Sequence, residues 1–274
     1  MTGSAQWVRV HYLDRLHRAE IVHARYVEHR FVRHAHAHFV VGLVEEGIQQ
    51  YTYRGAKHTI SAGQIFFVNG DEPHTGEPAT KARYLYRTLC LGPDAFRRLA
   101  LDITNKDYLP YLSGAAVADD KLFAKLRRFH RAVSTNAASM YCESCLLSAV
   151  RYLIEVHAEH RRQVPAAGTE TCIVTQVREY LEAHYSEDIS LAQLGVLTSH
   201  SPFHVARVFS KVVGLAPHAY LESIRIQRAR ELLRLGVSVV DTALAVSYPD
   251  QSHFTHRFRR LTGFTPGRYR LCAR

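Results

Sequence analysis

Long apolar runs are missing from this chain of 274 residues. No stretch reaches the roughly 18 consecutive apolar residues of a membrane-spanning helix, so no membrane partner is expected. The N-terminus, MTGSAQWVRVHYLDR, has no apolar core of the kind a secretory signal carries, which makes the cytoplasm the expected location. The five cysteines, Cys90, Cys142, Cys145, Cys172 and Cys272, are odd in number and widely scattered, which excludes a disulfide framework. Acidic residues are scarce at one end. From Ser201 onward 12 Lys and Arg face 4 Asp and Glu, so this last quarter carries +8 of a net +10. So basic a folded segment calls for an acidic partner, with nucleic acid the first candidate.

What is present is an ordinary globular balance, 47% hydrophobic and 22% charged, enough for one or two packed domains. Up to about residue 92 the chain reads as β structure. FVVGLVEEG (39–47), QQYTYRG (49–55), KHTIS, IFFV (65–68) and RYLYRTLCL (83–91) are short aromatic and β-branched runs broken by glycine, as in a small barrel or sandwich. From Asp119 the period becomes helical. Leu122, Phe123, Leu126, Phe129 and Val133 form one stripe. A second helix is expected from an N-cap at Ser139, burying Leu146, Leu147, Val150, Leu153 and Ile154. These two helices, about 119–162, need a further surface, either the barrel flank or a second copy of the chain. VPAAG (164–168) is the linker candidate, dividing a domain of 1–168 from one of 169–274. The second domain reads as all helix, with segments near 171–185, 190–197, 201–212, 217–235, 239–246, 250–261 and 266–270.

A motif is written twice in that helical part. FSKVVGLAPHAY (209–220) and FRRLTGFTPGRY (258–269) share F-x4-G-x2-P-x2-Y at an offset of 49. Glycine ends one helix and proline opens the next. Each copy is preceded by a short helix, a turn and a second helix, the helix-turn-helix arrangement, over 190–212 and 239–261. In the first copy Val205, Val208, Phe209 and Val212 should face the core; in the second, Phe254, Phe258 and Leu261. Ser201 and Asp250 are suited to cap the second helices.

YPDQSHFTHRFRRLTGFTPGRYR (248–270) resembles the signature of the AraC/XylS family of bacterial transcription regulators. SLAQLGVLTSHSPFHVARVF (190–209) is similar to the family's first helix-turn-helix and AYLESIRIQRARELL (219–233) to its linking helix. The resemblance implies two readers in successive major-groove segments of double-stranded DNA, with RNA polymerase as the downstream partner. It also places base-facing positions at Phe203, Ala206 and Arg207 in the first unit, and at Gln251, Ser252, His253 and His256 in the second. Arg207 suits a bidentate pair with guanine, with a phosphate contact or a surface ion pair as alternatives; His253 could instead cap or pack locally. The chain departs from the family at Ser199 and Ser247, where glycine is usual, and at Gly195, where alanine is usual.

FVRHAHAHFVVGLVEEG and SAGQIFFVNGDEPHTGEP (61–78) resemble the cupin-like sensor domain, a double-stranded β-helix barrel able to hold a small molecule. His34, His36 and His38 alternate, and on a strand they would share one face, with His74 returning towards them. Enzymatic cupins supply a glutamate four or five residues after their HxH, and Val40, Val41, Gly42 and Leu43 stand at those places here. The expectation is therefore a ligand site at His36, His38 and His74, with no metal, no cofactor and no catalysis; a metal-dependent enzyme with a DNA-binding tail is the alternative. A barrel that only dimerises is a third reading. Cys142-x-x-Cys145 lies within a helix, outside the context of a redox motif. Together these features predict a homodimeric, effector-controlled transcription activator.

Overall fold

The computed structural model describes residues 6–14, 18–79, 83–159 and 169–272; the linker candidate 164–168 lies outside the described residues. Strands β1 (Trp7–Leu13), β2 (Ala19–Tyr26), β3 (Phe31–His34), β4 (Phe39–Glu46), β5 (Ile48–Tyr53), β6 (Ala56–Ser61), β7 (Ile65–Val68), β8 (His74–Pro78) and β9 (Tyr84–Leu91) come first. They are followed by α1 (Pro93–Thr104), β10 (Tyr111–Leu112), β11 (Ala116–Val117), α2 (Asp120–Ser134), α3 (Ser139–His157) and β12 (Ala158–Glu159). The remainder is helical: α4 (Thr169–Ala183), α5 (Leu191–Thr198), α6 (Pro202–Val213), α7 (Pro217–Arg234), α8 (Val239–Ala245), α9 (Gln251–Thr262) and α10 (Pro266–Cys272).

One sheet runs β1-β2-β9-β4-β7-β11 and a second runs β3-β8-β5-β6. In the larger sheet β4 pairs antiparallel with both β9 and β7, so that Gly42 stands opposite Thr88 on one side and Phe66 on the other. The period of two sorts its residues. Ile21, Val41, Leu43, Phe67, Leu89 and Leu91 turn to one face and share a buried core with Leu99 of α1, Leu126 and Phe129 of α2, and Leu146 and Val150 of α3. Tyr26, Phe66, Tyr84 and Tyr86 turn to the other face, where Gln49, Tyr51 and Tyr53 of β5 are also buried.

Helix α1 had no counterpart in the sequence reading. Its signals are Pro93 in the first turn and buried Phe96, Leu99 and Ala100 at helical spacing. Helix α2 starts where Asp119 accepts from the Leu122 N–H at 2.9 Å. The expected cap at Ser139 is corrected: Ser139 is already helical, and Ala138 holds the cap position without a side-chain bond. Leu147 is also corrected, being 37% exposed while Cys142, Cys145 and Ala149 are buried. The shared strand face of His34, His36 and His38 is not formed either, because β3 ends at His34.

Cα packing divides the chain into two units: 1–30 with 37–71 and 76–162, and 31–36 with 72–75 and 163–274. In the second unit Ile173, Val177 and Leu181 of α4 close a core with Leu194 of α5 and Val205, Val208 and Phe209 of α6. Val212 was expected in that core but is 50% exposed; the chain reverses at Gly214, and Val213 packs there with Leu215 instead. Phe254, Phe258 and Leu261 are buried as expected.

Candidate nucleic-acid interface and ligand site

The duplicated motif is a duplicated piece of stereochemistry. Gly214 and Gly263 close α6 and α9 with φ of 78° and 87°, the left-handed region open to glycine. Their N–H groups donate to the carbonyls of Ser210 and Arg259. Pro217 and Pro266 then start α7 and α10. The phenylalanine and tyrosine of each copy meet edge to face, with ring centroids 5.5 Å apart for both Phe209–Tyr220 and Phe258–Tyr269. Each tyrosine ring also carries a guanidinium, Arg178 at 5.5 Å in one copy and Arg230 at 5.4 Å in the other. Every letter of F-x4-G-x2-P-x2-Y thus has a packing or backbone role, and the motif's outward residues are left to vary.

In each module a short helix hands over to a longer one through a tight turn. Ser190 and Gln193 cap α5 reciprocally, with the Ser190 N–H donating to Gln193 Oε1 at 2.7 Å. His200 N–H donates to the Gly195 carbonyl at 3.0 Å and Ser199 N–H to that of Val196 at 3.2 Å. In the second module Tyr248 N–H reaches the Ala243 carbonyl at 2.9 Å and Ser247 N–H that of Leu244 at 3.0 Å. Both are Schellman closures. Ser201 and Asp250 then cap α6 and α9, accepting from the N–H groups of His204 at 3.2 Å and His253 at 2.7 Å.

The outer faces of α6 and α9 hold the positions singled out in the sequence. Phe203 is 91% exposed, an aromatic ring left in solvent within the first turn after the Ser201 cap. Arg207 is exposed beside half-buried Ala206, with its guanidinium 3.4 Å from His204 Nδ1. Gln251, Ser252, His253 and His256 are exposed on α9. His253 is engaged locally, its ring 5.5 Å from Tyr248 and its Nε2 accepting from Arg257 Nε at 3.4 Å. Lys211 is neutralised by Glu170 at 3.0 Å and Arg257 by Glu222 at 3.3 Å.

In the β-rich part the histidines regroup. His34, His36 and His74 bring one ring nitrogen each to within 4.8 Å of the others, while His38 stands outside this group. Burial pushes the His74 imidazole down to about 3, with the neighbouring His34 adding to it; burial also lowers His34, opposed by its bond to the Val32 carbonyl and aided by Arg230. Arg54 and Asn69 tie the strands to the segment around Leu112. Arg54 donates to the carbonyls of Ser113 at 2.7 Å and Leu112 at 3.1 Å, and its guanidinium lies 4.7 Å from the rings of both Tyr53 and Tyr111. Asn69, where proline is common in cupins, bonds both Leu112 backbone groups at 2.9 Å. Burial pushes the Cys142 thiol up, with Cys145 reinforcing it, and both side chains are buried in the core.

The sequence reading missed the aromatic lining of the sheet's inner face. Tyr26, Tyr84 and Tyr86 stack with centroids 5.5–6.0 Å apart, and Phe66 reaches Tyr86 at 6.4 Å and Tyr51 at 5.7 Å. Two buried polar atoms in it, Tyr84 Oη and Gln49 Oε1, have no hydrogen-bond partner among the described residues. Period-two spacing in QQYTY and YLY was the available signal.

Comparison with known proteins accounts for both halves. The family description "AraC-like ligand binding domain" matches residues 19–150, and "Helix-turn-helix domain" matches 197–271. The chain is 30% identical to the HTH-type transcriptional regulator YbfI of Bacillus subtilis over 226 residues, covering 82% of this chain and 81% of that one. It is 26% identical to the HTH-type transcriptional activator RhaS of an Enterobacter species, covering 91% of each. Among solved structures, ToxT from Vibrio cholerae in its apo form superposes with a TM-score of 0.61 at 12% identity over 99% of both chains, a likeness of fold. The chain belongs to the AraC family of transcriptional regulators. It is a DNA-binding regulator with a cupin-like ligand-binding domain, and its named relatives are regulators of transcription.

Proposed function

We propose that this regulator activates transcription from an asymmetric DNA site, as a homodimer, in response to a small molecule held by its N-terminal domain. The observation that carries the proposal is the pair of modules with matching buried motifs and unlike exposed faces. Phe203, Ala206 and Arg207 form the first reading face; Gln251, Ser252, His253 and His256 form the second. The apolar Phe203 suits a thymine methyl, Arg207 a guanine, and Gln251 an adenine. Activation is favoured by the RhaS relatives, which are named as activators. It requires contact with RNA polymerase in the cytoplasm, where bacterial DNA lies. Helix α3 supports dimerisation: Met140, Tyr141, Leu147 and Val156 are 37–78% exposed along it.

For the effector, two loci support binding. His36, His38 and His74 offer imidazole donors and acceptors. The stacked tyrosines, with Tyr84 Oη and Gln49 Oε1 lacking partners among the described residues, suit an uncharged ring-shaped molecule carrying hydroxyl groups. The test is DNA binding by the full chain to sequences it selects from a random pool, titrated against salt. The logarithm of affinity should fall linearly with that of salt, with a slope of about −0.9 per neutralised phosphate. Affinity that is flat in salt, or selection of no sequence, would sink the DNA-reading proposal. A thermal-shift screen with sugars and related metabolites tests the effector: none stabilising the chain refutes the barrel site.

A further inference from the structure

His34, His36 and His74 form a group in which three potential ligand atoms lie within 4.8 Å of one another. Two of the rings have their tautomers fixed. His34 Nδ1 lies 2.8 Å from the Val32 carbonyl and His74 Nδ1 lies 3.0 Å from the Glu72 carbonyl. A carbonyl only accepts, so Nδ1 carries the proton on both rings and Nε2 keeps its lone pair. Backbone carbonyls orient metal-bound imidazoles in this way. The rings crowd together, with centroids 4.4 Å apart for His34–His74, 4.8 Å for His36–His74 and 5.7 Å for His34–His36.

We propose that His34, His36 and His74 bind one divalent transition-metal ion through their imidazole nitrogens, and that its binding sets the order of the DNA-reading unit. Three imidazoles favour zinc, cobalt, nickel or copper over magnesium or calcium. Metal–nitrogen bonds of about 2.0–2.1 Å require the rings to close by roughly 1 Å, within reach of side-chain rotation. One coordination position stays open for water or a small anion. The link to DNA reading lies in the residue between two of the ligands. Ala35 is 3% exposed and belongs to the same hydrophobic cluster as Val205, Val208 and Phe209 of α6. Strand β3 also packs on α7 and α9, and residues 31–36 and 72–75 share one compact unit with 163–274. Ligation would tie both neighbours of Ala35 to His74 and hold that alanine in the core of the first module. This inference gives His36 and His74 to a metal ion instead of to the effector, leaves the tyrosine-lined face as the effector locus, and does not otherwise rest on the effector reading.

The experiment is titration of the full-length chain with cobalt(II), read by its visible absorption, followed by competition with zinc(II). One equivalent should bind, zinc should displace it, and His38→Ala should bind as the parent does. His36→Ala, at a half-buried position, should weaken binding at least tenfold while retaining the parent's circular dichroism; His34→Ala gives a second variant should the first misfold. Amide exchange at Val205, Phe209 and Phe254 should slow with metal in the parent and not in His36→Ala. Unchanged cobalt spectra in His36→Ala and His34→Ala, or no binding by the parent, would overturn the site. Binding without any change in exchange would overturn the coupling. None of these readouts needs an operator, so failure of DNA reading is seen separately.

Discussion

Ser199 and Ser247 occupy the left-handed position of the two Schellman turns, with φ of 57° and 60°. A non-glycine residue there costs about 1–2 kcal/mol. Glycine would relieve that cost but adds about 0.5–1 kcal/mol of unfolded-chain entropy. Ser199→Gly should therefore stabilise its module by roughly 0.5–1 kcal/mol. Gly195→Ala has the opposite sign, against helix propensity. Alanine gains about 1 kcal/mol in a helix interior. A Cβ at Gly195, however, would stand 2.8 Å from the His200 carbonyl oxygen and 3.3 Å from Pro202. That neighbour is backbone and cannot swing aside, and such overpacking costs about 1–3 kcal/mol. The first turn is also shorter: Ser199 and His200 precede the Ser201 cap, whereas Ser247, Tyr248 and Pro249 precede Asp250. The tighter closure leaves Gly195 no room for a side chain. Native-state amide exchange at Val205 and Phe209 in the full chain reads this module alone. Exchange should slow several-fold in Ser199→Gly and quicken in Gly195→Ala. Slower exchange in Gly195→Ala would refute the close approach, and no change in Ser199→Gly would refute the strain.

Three further outcomes follow from the same structure. Arg207→Ala should lose about 1–3 kcal/mol of discrimination at one base pair, read by competition among operator variants; equal loss on all sequences would make Arg207 a phosphate contact. Gly42→Ala should destabilise the N-terminal unit and perturb effector response, because its Cβ would lie 2.0 Å from the Phe66 ring; Trp7, the chain's single tryptophan, reports that melting, and an unchanged curve would refute the contact. Acid should weaken the same unit by two routes. Burial alone would raise the Glu45 carboxyl, but the His23 imidazole 3.5 Å away and the charge and hydrogen bond of Arg87 at 2.9 Å bring it to about 2, and burial with Arg87 and His23 pushes His130 down to about 3. Both values are depressed, so His130 removes stability as pH falls from 6.5 towards 3, and Glu45 as it falls from 4.5 towards 2. His130→Leu should flatten the stability–pH slope between pH 6 and 5 by about 1.4 kcal/mol per unit; an unaltered slope would show that His130 protonates freely in the folded chain.

The helical half was legible because its signals are local. Cap residues, left-handed glycines and N1 prolines fix each helix within a few residues of its ends, and the spacing of Phe254, Phe258 and Leu261 names its own buried face. The β half was legible as strands but not as a site. Alternation through His34, His36 and His38 suggested one shared face, yet β3 stops at His34. The grouping joins His34 at the end of β3, His36 on the non-strand backbone beyond it and His74 at the start of β8, a meeting of separate segments that no period can encode. The buried tyrosines illustrate the same limit: alternation sorts Tyr84 and Tyr86 to one face, but only the register of β9 with β2 brings Tyr26 beside them.

The unlike faces of the two modules bear on how such a regulator would work. A dimer of identical single readers favours a palindrome, and a palindrome has no direction. Here the proposed contacts differ within one chain: an aromatic ring and a guanidinium at Phe203 and Arg207, amide, hydroxyl and imidazole groups at Gln251, Ser252 and His256. Helix α7 joins the modules, and its Arg225 donates to the carbonyls of Tyr185 at 2.8 Å and Glu187 at 2.7 Å, which ties the joining helix to the segment leading into the first module. A complex built this way has one preferred orientation on its DNA, because turning it end for end places each face on the wrong bases at about 1–3 kcal/mol per mismatched pair. An activator of the proposed kind would have to present one fixed surface towards the polymerase, and unlike readers on one chain would supply that direction whether or not the chain pairs with a second copy.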